Sequence, residues 1–320
     1  MKTFKLENSR YSIDVPALTY GTASFERKDI DEHYFELLDA YMKLGGSCID
    51  TARSYCAWVE GGEDASEGVI GRWIKLRQNR DKIILITKGG HPDREDMSIS
   101  RLTRSDILSD INKSLEVLGT DYVDIFFLHR DDEKVDVSEI MPVLNELVES
   151  GKVHFIGASN WKTARIEKAN KYAAEHNLEP FRVSQINYSF AHTSKDMFGD
   201  NTIVCMDLNE YSWYKRNNFP VMAFSPQAKG FFSKLANGES VKNIVEGQFV
   251  STANLLRLAN IIRHCEKTGE KPATVALGYL NSQPFPVSSV FSVTKLWQLE
   301  EDMTAQDTVY DSDTISRLEL

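Results

Sequence analysis

The chain has little of what marks disulfide-rich, zinc-binding or iron–sulfur proteins. Its 320 residues include only four cysteines, at positions 48, 56, 205 and 265, and no two of them form a Cys-x-x-Cys pair. This pattern provides neither a disulfide framework nor the ligand spacing of a metal site. We therefore expect reduced thiols and no bound metal.

Positive charge is also in short supply. There are 37 Lys and Arg residues against 47 Asp and Glu residues, which gives a formal net charge of −10. Because nucleic-acid binding requires a concentrated basic surface, this balance argues against a nucleic-acid partner. A local basic patch for one cofactor phosphate remains compatible with it.

Long apolar runs are missing as well. No run approaches the ~20 residues that a membrane-spanning helix needs. The first residues, Met-Lys-Thr-Phe-Lys-Leu-Glu-Asn, contain no apolar core of a secretory signal. We therefore predict a cytoplasmic protein without membrane association.

What the chain does contain is an alternation of short apolar runs with amphipathic stretches, from about residue 17 to residue 303. Helical periodicity is clear over residues 105–118 and 137–150, and each stretch ends at a glycine. Eight runs are typical of buried strands: Ala17–Gly21, Ser47–Asp50, Ile83–Lys88, Tyr122–His129, Val153–Ser159, Val183–Ile186, Val221–Ser225 and Val287–Phe291.

Eight βα units without a break in composition predict one α/β domain over residues 1–320, folded as a (β/α)8 or TIM barrel. An open doubly wound sheet is the competing fold, but it usually carries a Gly-rich phosphate turn after its first strand. Here a single glycine, Gly21, ends that strand. Residues 1–15 predict a β-hairpin that plugs the N-terminal end of the barrel, and residues 226–251 predict a long βα loop.

Four polar residues follow the predicted strands closely: Asp50, Tyr55, Lys88 and His129. The carboxyl ends of barrel strands converge on one face, where catalytic residues are found. A tyrosine hydroxyl has a pKa near 10, and we expect the ammonium of Lys88 to lower it. Asp50 would keep Lys88 charged, and His129 would hold the substrate oxygen. Each residue alone has an ordinary structural explanation, but together they indicate a group that protonates a carbonyl oxygen as hydride reaches its carbon.

Several segments resemble the aldo-keto reductase superfamily, over roughly residues 18–303. They are Asp50-Thr-Ala-Arg-Ser-Tyr55, Lys88 at its strand end, Leu128-His-Arg, Gly151-Lys-Val-His-Phe-Ile-Gly-Ala-Ser-Asn160, Ser184-Gln-Ile-Asn-Tyr188, Ala223-Phe-Ser-Pro-Gln-Ala-Lys-Gly230 and Gln298-Leu-Glu-Glu-Asp302. The Ser-Pro-x-x-x-Gly-Phe-Phe run is similar to the branch that holds bacterial short-loop reductases and potassium-channel β-subunits. The resemblance implies that Tyr55 is the general acid, tuned by Lys88 and Asp50, and that His129 orients the carbonyl.

The resemblance also implies a nicotinamide dinucleotide. Ser159, Asn160 and Gln185 match positions that bind the carboxamide, and Phe224 stands where an aromatic residue, usually Tyr, stacks on the ring. The complete cofactor set is Gly21, Thr22, Asp50, Ser159, Asn160, Gln185, Phe224, Ser225, Pro226, Gln227, Lys229, Gly230, Thr294, Lys295, Gln298 and Asp302.

Three departures from the family pattern concern the adenosine end. Val290-Phe-Ser-Val293 replaces the frequent Ile-Pro-Gly-Ala, Gln298 stands where some members carry Arg for the 2′-phosphate, and Asp302 stands where Asn usually contacts adenine. The family implies NADP(H), with NAD(H) as the alternative because only Lys295 and Lys229 supply positive charge.

The sequence therefore predicts an NADP(H)-dependent oxidoreductase that interconverts an aldehyde, a ketone or a sugar-like carbonyl with its alcohol. Tyr55, Trp58 and His129 are the predicted substrate contacts, although Trp58 packing under its own loop is an equal interpretation. His91 and Arg130 are further polar candidates. The alternatives are a regulatory or redox-sensing subunit and a cofactor-free isomerase, and the latter leaves the predicted carboxamide residues unexplained. Neither the substrate nor the oligomeric state follows from the sequence.

Overall fold

The computed structural model describes residues 2–26, 30–93, 95–240 and 248–319. Its strands are β1 Thr3–Glu7, β2 Ser12–Pro16, β3 Leu18–Gly21, β4 Cys48–Asp50, β5 Ile84–Gly89, β6 Val123–Leu128, β7 Val153–Ser159, β8 Val183–Asn187, β9 Val221–Phe224 and β10 Val287–Phe291. Its helices are α1 Asp31–Lys43, α2 Ala65–Arg77, α3 Arg104–Leu118, α4 Val137–Glu149, α5 Thr163–Glu175, α6 Leu208–Asn217, α7 Phe231–Ala236, α8 Thr252–Thr268, α9 Pro272–Asn281, α10 Leu296–Met303 and α11 Ser312–Glu319.

Strands β3 to β10 form a closed parallel barrel in the order β10-β3-β4-β5-β6-β7-β8-β9, and β1 pairs with β2. The register places Gly21 opposite Asp50, and Asp50 opposite Ile86. Lys88 stands opposite Phe127. The predicted (β/α)8 barrel with an N-terminal hairpin is confirmed.

Internal contacts divide the chain into two compact units. The amino-terminal unit comprises Lys5–Val15 and Thr19–Gln185, and the carboxy-terminal unit comprises Met1–Phe4, Pro16–Leu18 and Ile186–Leu320. The interpretation of residues 1–320 as a single domain stays a prediction.

In the amino-terminal unit, helix ends follow local chemistry. The Thr103 hydroxyl accepts a hydrogen bond from the Asp106 amide (3.2 Å) and caps α3, which ends at Gly119 with φ of 65°. The Asp136 carboxylate accepts from the Ser138 amide (3.0 Å) and caps α4. These caps satisfy helix-end groups that otherwise lack partners. The observed helices agree with the predicted stretches to within a residue.

In the carboxy-terminal unit, aromatic side chains dominate the core, among them Phe190, Tyr214 and Phe285. The predicted long loop after β9 is partly helical. Helix α7 lies within it and buries Phe231 and Phe232, which explains why this connection forms regular structure. Residues 241–247 of the predicted loop lie outside the described residues.

The four cysteines are free thiols. None of the helices in the described ranges is long and apolar enough to cross a membrane.

The hairpin turn is attached to the start of β7. The Asn8 side chain accepts from the Arg10 and Tyr11 amides (2.9 and 2.8 Å) and donates to the His154 carbonyl oxygen (2.9 Å). Arg10 also donates to the Glu149 carbonyl oxygen at the end of α4 (2.9 Å). These contacts lie at the amino end of a barrel strand, where the predicted plug belongs.

Near the amino ends of β6 and β7, a stack of rings and one buried carboxylate connect neighbouring segments. His154 lies between Tyr11 and Tyr122, with ring centroids 3.8 and 4.5 Å away, and the Arg80 guanidinium covers Tyr122 at 3.9 Å. Asp124 accepts from Arg80 and from the Leu85 amide, both at 2.8 Å. Burial opposes ionisation of Asp124, but the bonds from His154, Arg80 and the Leu85 amide outweigh it and lower its pKa.

We expect Asp124→Asn to lower the free energy of unfolding at pH 7 by about 2 kcal/mol, because Arg80 loses its buried partner. The pKa of Asp124 is depressed in the folded state. The stabilisation is therefore present above the unfolded pKa of ~3.9 and is lost as pH falls through the folded value. Urea unfolding at pH 7 and at pH 3 measures both effects.

The matched control is Glu133→Gln, since its exposed carboxylate pairs with exposed Lys162 and should contribute little. An Asp124→Asn effect of the same size at both pH values would contradict the assigned role.

Candidate active site

Three neighbouring strands of the amino-terminal unit supply the predicted catalytic residues. Asp50 ends β4, Lys88 lies one residue before the end of β5, and His129 follows β6 directly. Tyr55 lies in the turn after β4. Two backbone hydrogen bonds hold that turn against β5, from the Thr51 amide to the Ile86 carbonyl oxygen (2.9 Å) and from the Arg53 amide to that of Lys88 (3.0 Å).

The Lys88 ammonium is at the centre of the group and is fully buried. It donates to Asp50 Oδ2 (2.6 Å), to Tyr55 Oη (2.9 Å) and to the Thr51 carbonyl oxygen (3.0 Å). An ammonium carries three donors, and all three have an acceptor here. Burial lowers the pKa of Lys88, and the charge of Asp50 opposes this effect.

The expected lowering of the Tyr55 pKa was wrong. Burial raises the pKa of Tyr55 well above 10, the negative charge of Asp50 raises it further, and Arg130 opposes them only in part. The Tyr55 hydroxyl lies 3.4 Å from Asp50 Oδ2, to which it can donate. The sequence did not show how close this carboxylate lies. The phenol is held protonated, the state that a proton donor requires.

His129 is a buried, neutral imidazole. Its ring meets Tyr55 edge-on with centroids 5.7 Å apart, and its Nδ1 lies 3.1 Å from Ser54 Oγ. Burial lowers the pKa of His129 well below 6.5, and the charges of Arg130, His91 and Lys88 act in the same direction.

The predicted carboxamide residues lie next to this group. Gln185 Nε2 donates to Asp50 Oδ1 (2.9 Å), and the Asn160 amide donates to the Gln185 carbonyl oxygen (2.9 Å). Asn160 adopts a left-handed conformation with φ of 58°, which Asn tolerates better than most residues. Its Nδ2 contacts Ser159 Oγ (3.2 Å) and the His129 carbonyl oxygen (3.3 Å). The structure thus brings Ser159, Asn160 and Gln185 together with the predicted catalytic residues.

Gly21 and Thr22 also belong to this cluster. Thr22 donates to the Asp50 carbonyl oxygen from its amide and its hydroxyl, both at 3.0 Å. Ser66 contacts the hydroxyls of Thr22 (2.7 Å) and Thr51 (2.8 Å) and so joins the first two strand ends.

Trp58 is 52% exposed, which disfavours its packing under its own loop. Its ring lies edge-on to Tyr55 with centroids 6.4 Å apart, and its Nε1 donates to Glu26 (3.2 Å). The His91 ring lies 5.1 Å from that of His129, and Arg130 donates to the His129 carbonyl oxygen (2.9 Å).

In the carboxy-terminal unit, the segment after β9 has an unusual backbone. Phe224 ends the strand, Pro226 accepts from the Phe190 amide (3.4 Å), and positive φ angles occur at Ser225 (53°), Lys229 (56°) and Gly230 (80°). Such left-handed residues form concave backbone surfaces that suit anions.

The second group of that unit lies at the start of α10. Gln298 Oε1 accepts from the Thr294 and Lys295 amides (3.0 and 3.1 Å) and so caps the helix. Asp302 is buried and accepts from Gln227 Nε2 (2.7 Å). Burial raises the pKa of Asp302 to about 7, against the effect of the Gln227 bond. The protonated form of this carboxyl can donate a hydrogen bond, which a carboxylate cannot do.

Sequence reasoning missed Ser54, Thr51 and Ser66. Each is a small hydroxyl residue in or next to a loop. Nothing in the sequence spacing distinguishes such residues from the Ser and Thr residues that commonly form turns. Only the folded positions show that they contact the site.

The chain belongs to the aldo/keto reductase family, since the sequence profile of the Aldo/keto reductase family matches residues 17–319. This confirms the resemblance in the motifs. The chain is 35% identical over 199 residues to norsolorinic acid reductase B of Aspergillus parasiticus, a match that covers 60% of this chain and 50% of that protein. It is 38% identical over 164 residues to an aryl-alcohol dehydrogenase of Pestalotiopsis microspora, covering 49% of this chain and 41% of that protein.

The chain thus spans half or less of the length of these two relatives. Among solved structures, a thermostable aldo-keto reductase in complex with the inhibitor epalrestat is similar with a TM-score of 0.75. The match covers 100% of this chain and 99% of the other at 22% identity, and it supports the fold.

Because burial and Asp50 raise the pKa of Tyr55, we expect no phenolate at this residue below pH 10. Ultraviolet difference titration of the wild type against Tyr55→Phe measures this directly. The two proteins should give superimposable curves up to pH 10. A phenolate band that titrates below pH 9 in the wild type alone would show that Lys88 dominates after all.

Proposed function

We propose that this protein is an NADP(H)-dependent oxidoreductase that interconverts an aldehyde or ketone and the corresponding alcohol. The observation that carries the proposal is the hydrogen-bonded group of Asp50, Lys88 and Tyr55 with neutral His129 beside it. This arrangement can deliver a proton to one point, and the chain belongs to a family of reductases.

The residues present fit a nicotinamide dinucleotide. Gln185 is fixed by its bond to Asp50, and within the described residues its Oε1 has no hydrogen-bond partner, which suits the donor side of a carboxamide. Half-buried Phe224 offers an aromatic face for the nicotinamide ring. The left-handed run at Ser225, Lys229 and Gly230, with the charge of Lys229, suits a pyrophosphate.

The cofactor, when bound, supplies or accepts hydride. The protein handles the proton: Tyr55 Oη donates it to the carbonyl oxygen, and His129 orients that oxygen with a second hydrogen bond. The phenolate left behind is stabilised by the Lys88 ammonium, which Asp50 holds in place. In alcohol oxidation the same phenolate accepts the proton.

We further propose an aromatic carbonyl or alcohol as the substrate. The exposed ring of Trp58, anchored by Glu26 and edge-on to Tyr55, offers an apolar face beside the proton donor. The name of one relative, an aryl-alcohol dehydrogenase, supports this class over a sugar-like one. We also propose that the chain acts as one domain in the cytoplasm on a small molecule. The regulatory-subunit alternative rests on resemblance alone.

Tyr55→Phe should lower carbonyl turnover by about a thousandfold, because it removes the general acid and keeps the ring. Cofactor affinity should stay within a few fold. Steady-state kinetics with an aryl aldehyde and a fluorescence titration with NADPH measure the two quantities. Tyr172→Phe is the matched control: Tyr172 of α5 packs on His176, which follows that helix, so the substitution should leave turnover and cofactor affinity unchanged. Retained turnover in Tyr55→Phe would refute the assignment of the acid.

Wild-type protein should bind NADPH more tightly than NADH. Gln298→Arg should increase the preference for NADPH about tenfold, because it adds a charge-assisted fork beside Lys295 for the 2′-phosphate. Fluorescence titration with both cofactors gives the ratio. Gln298→Ala is the control, since it removes the helix cap without adding charge. Tighter binding of NADH by the wild type would replace NADP(H) with NAD(H) in the proposal.

A further inference from the structure

The Ser54 hydroxyl lies next to the imidazole of His129 and takes no direct part in the proposed proton transfer. Its Oγ lies 3.1 Å from His129 Nδ1. Ser54 is fixed within its turn by the bonds from the Tyr55 amide to the Ala52 carbonyl oxygen (3.1 Å) and from the Ala57 amide to the Ser54 carbonyl oxygen (3.3 Å). The hydroxyl is therefore held close to His129 by backbone structure.

The two ring nitrogens of His129 have different surroundings. Nδ1 has the Ser54 hydroxyl as its partner. Nε2 has no hydrogen-bond partner among residues 2–26, 30–93, 95–240 and 248–319, although the residue is only 7% exposed. One nitrogen is thus satisfied by the protein, and the other is available to a ligand.

A neutral imidazole carries one hydrogen, and the partner of one nitrogen decides which nitrogen holds it. A serine hydroxyl can donate or accept. His129 Nδ1 is the one hydrogen-bond partner of Ser54 Oγ within the described part of the chain. Donation from Oγ to Nδ1 satisfies the serine hydrogen and leaves the imidazole hydrogen on Nε2. A carbonyl oxygen only accepts, so it requires this Nε2–H form.

We propose that Ser54 is a positioning residue that holds His129 in the Nε2–H tautomer, ready to donate to the carbonyl oxygen of the substrate. The role toward the substrate rests on the proposed function, whereas the tautomer itself does not. Ser54 acts through His129 and does not contact the reacting atoms.

The test uses Ser54→Thr and Ser54→Val, which have the same shape and differ only in the hydroxyl. Nitrogen-15 NMR of the histidine rings, with His129 assigned through His129→Gln, shows which nitrogen is protonated at pH 7. The wild type and Ser54→Thr should show hydrogen on Nε2. Ser54→Val should show a substantial Nδ1–H population.

Kinetics test the second step. Ser54→Val should lower kcat/KM for carbonyl reduction about tenfold, whereas Ser54→Thr should retain most of the wild-type kcat/KM. Circular dichroism and thermal melting should show that both variants are folded. If Ser54→Val shifts the tautomer but the wild type shows no carbonyl turnover, the proposed function is refuted and the role of Ser54 in setting the tautomer stands. An unchanged Nε2–H form in folded Ser54→Val would overturn the inference.

Discussion

The buried ammonium of Lys88 is the constraint on which the rest of the site depends. A cation at this depth is stable only if its hydrogens and its charge are matched, and Asp50, Tyr55 and the Thr51 carbonyl oxygen provide that match. The match requires β4 and β5 in register and the turn after β4 folded back on β5. The same contact that orients the phenol therefore also fixes the geometry of two barrel strands.

Asp50 extends this constraint to the other side of the site. One oxygen of its carboxylate accepts from Lys88, and the other accepts from Gln185 of β8. Because one carboxylate binds both Lys88, beside the proposed proton donor, and Gln185, proposed to bind the nicotinamide, the positions of these two side chains are coupled. The negative charge of Asp50 also contributes to the raised pKa of Tyr55, so the group favours a protonated phenol at rest.

The sequence predicted the barrel and its strand-end residues well, because buried parallel strands are continuous apolar runs whose ends are easily recognised. It did not predict the direction of the pKa shift of Tyr55, which depends on a 3.4 Å approach to Asp50 and on burial. Ser54 and Ser66 were missed because a hydroxyl in a loop carries no periodic signal. Likewise, part of the predicted loop after β9 is a short helix, because Phe231 and Phe232 are buried there. That burial is visible only in the folded structure.

Asp302 has a consequence for the folding equilibrium of the chain. Burial brings the pKa of its carboxyl to about 7, whereas in an unfolded chain the value is ~3.9. Between these values the folded state holds a proton that the unfolded state has released. The carboxy-terminal unit therefore takes up a proton as it folds, and this residue contributes less stability as pH rises from about 4 to about 7. An asparagine at this position would leave folding insensitive to that proton.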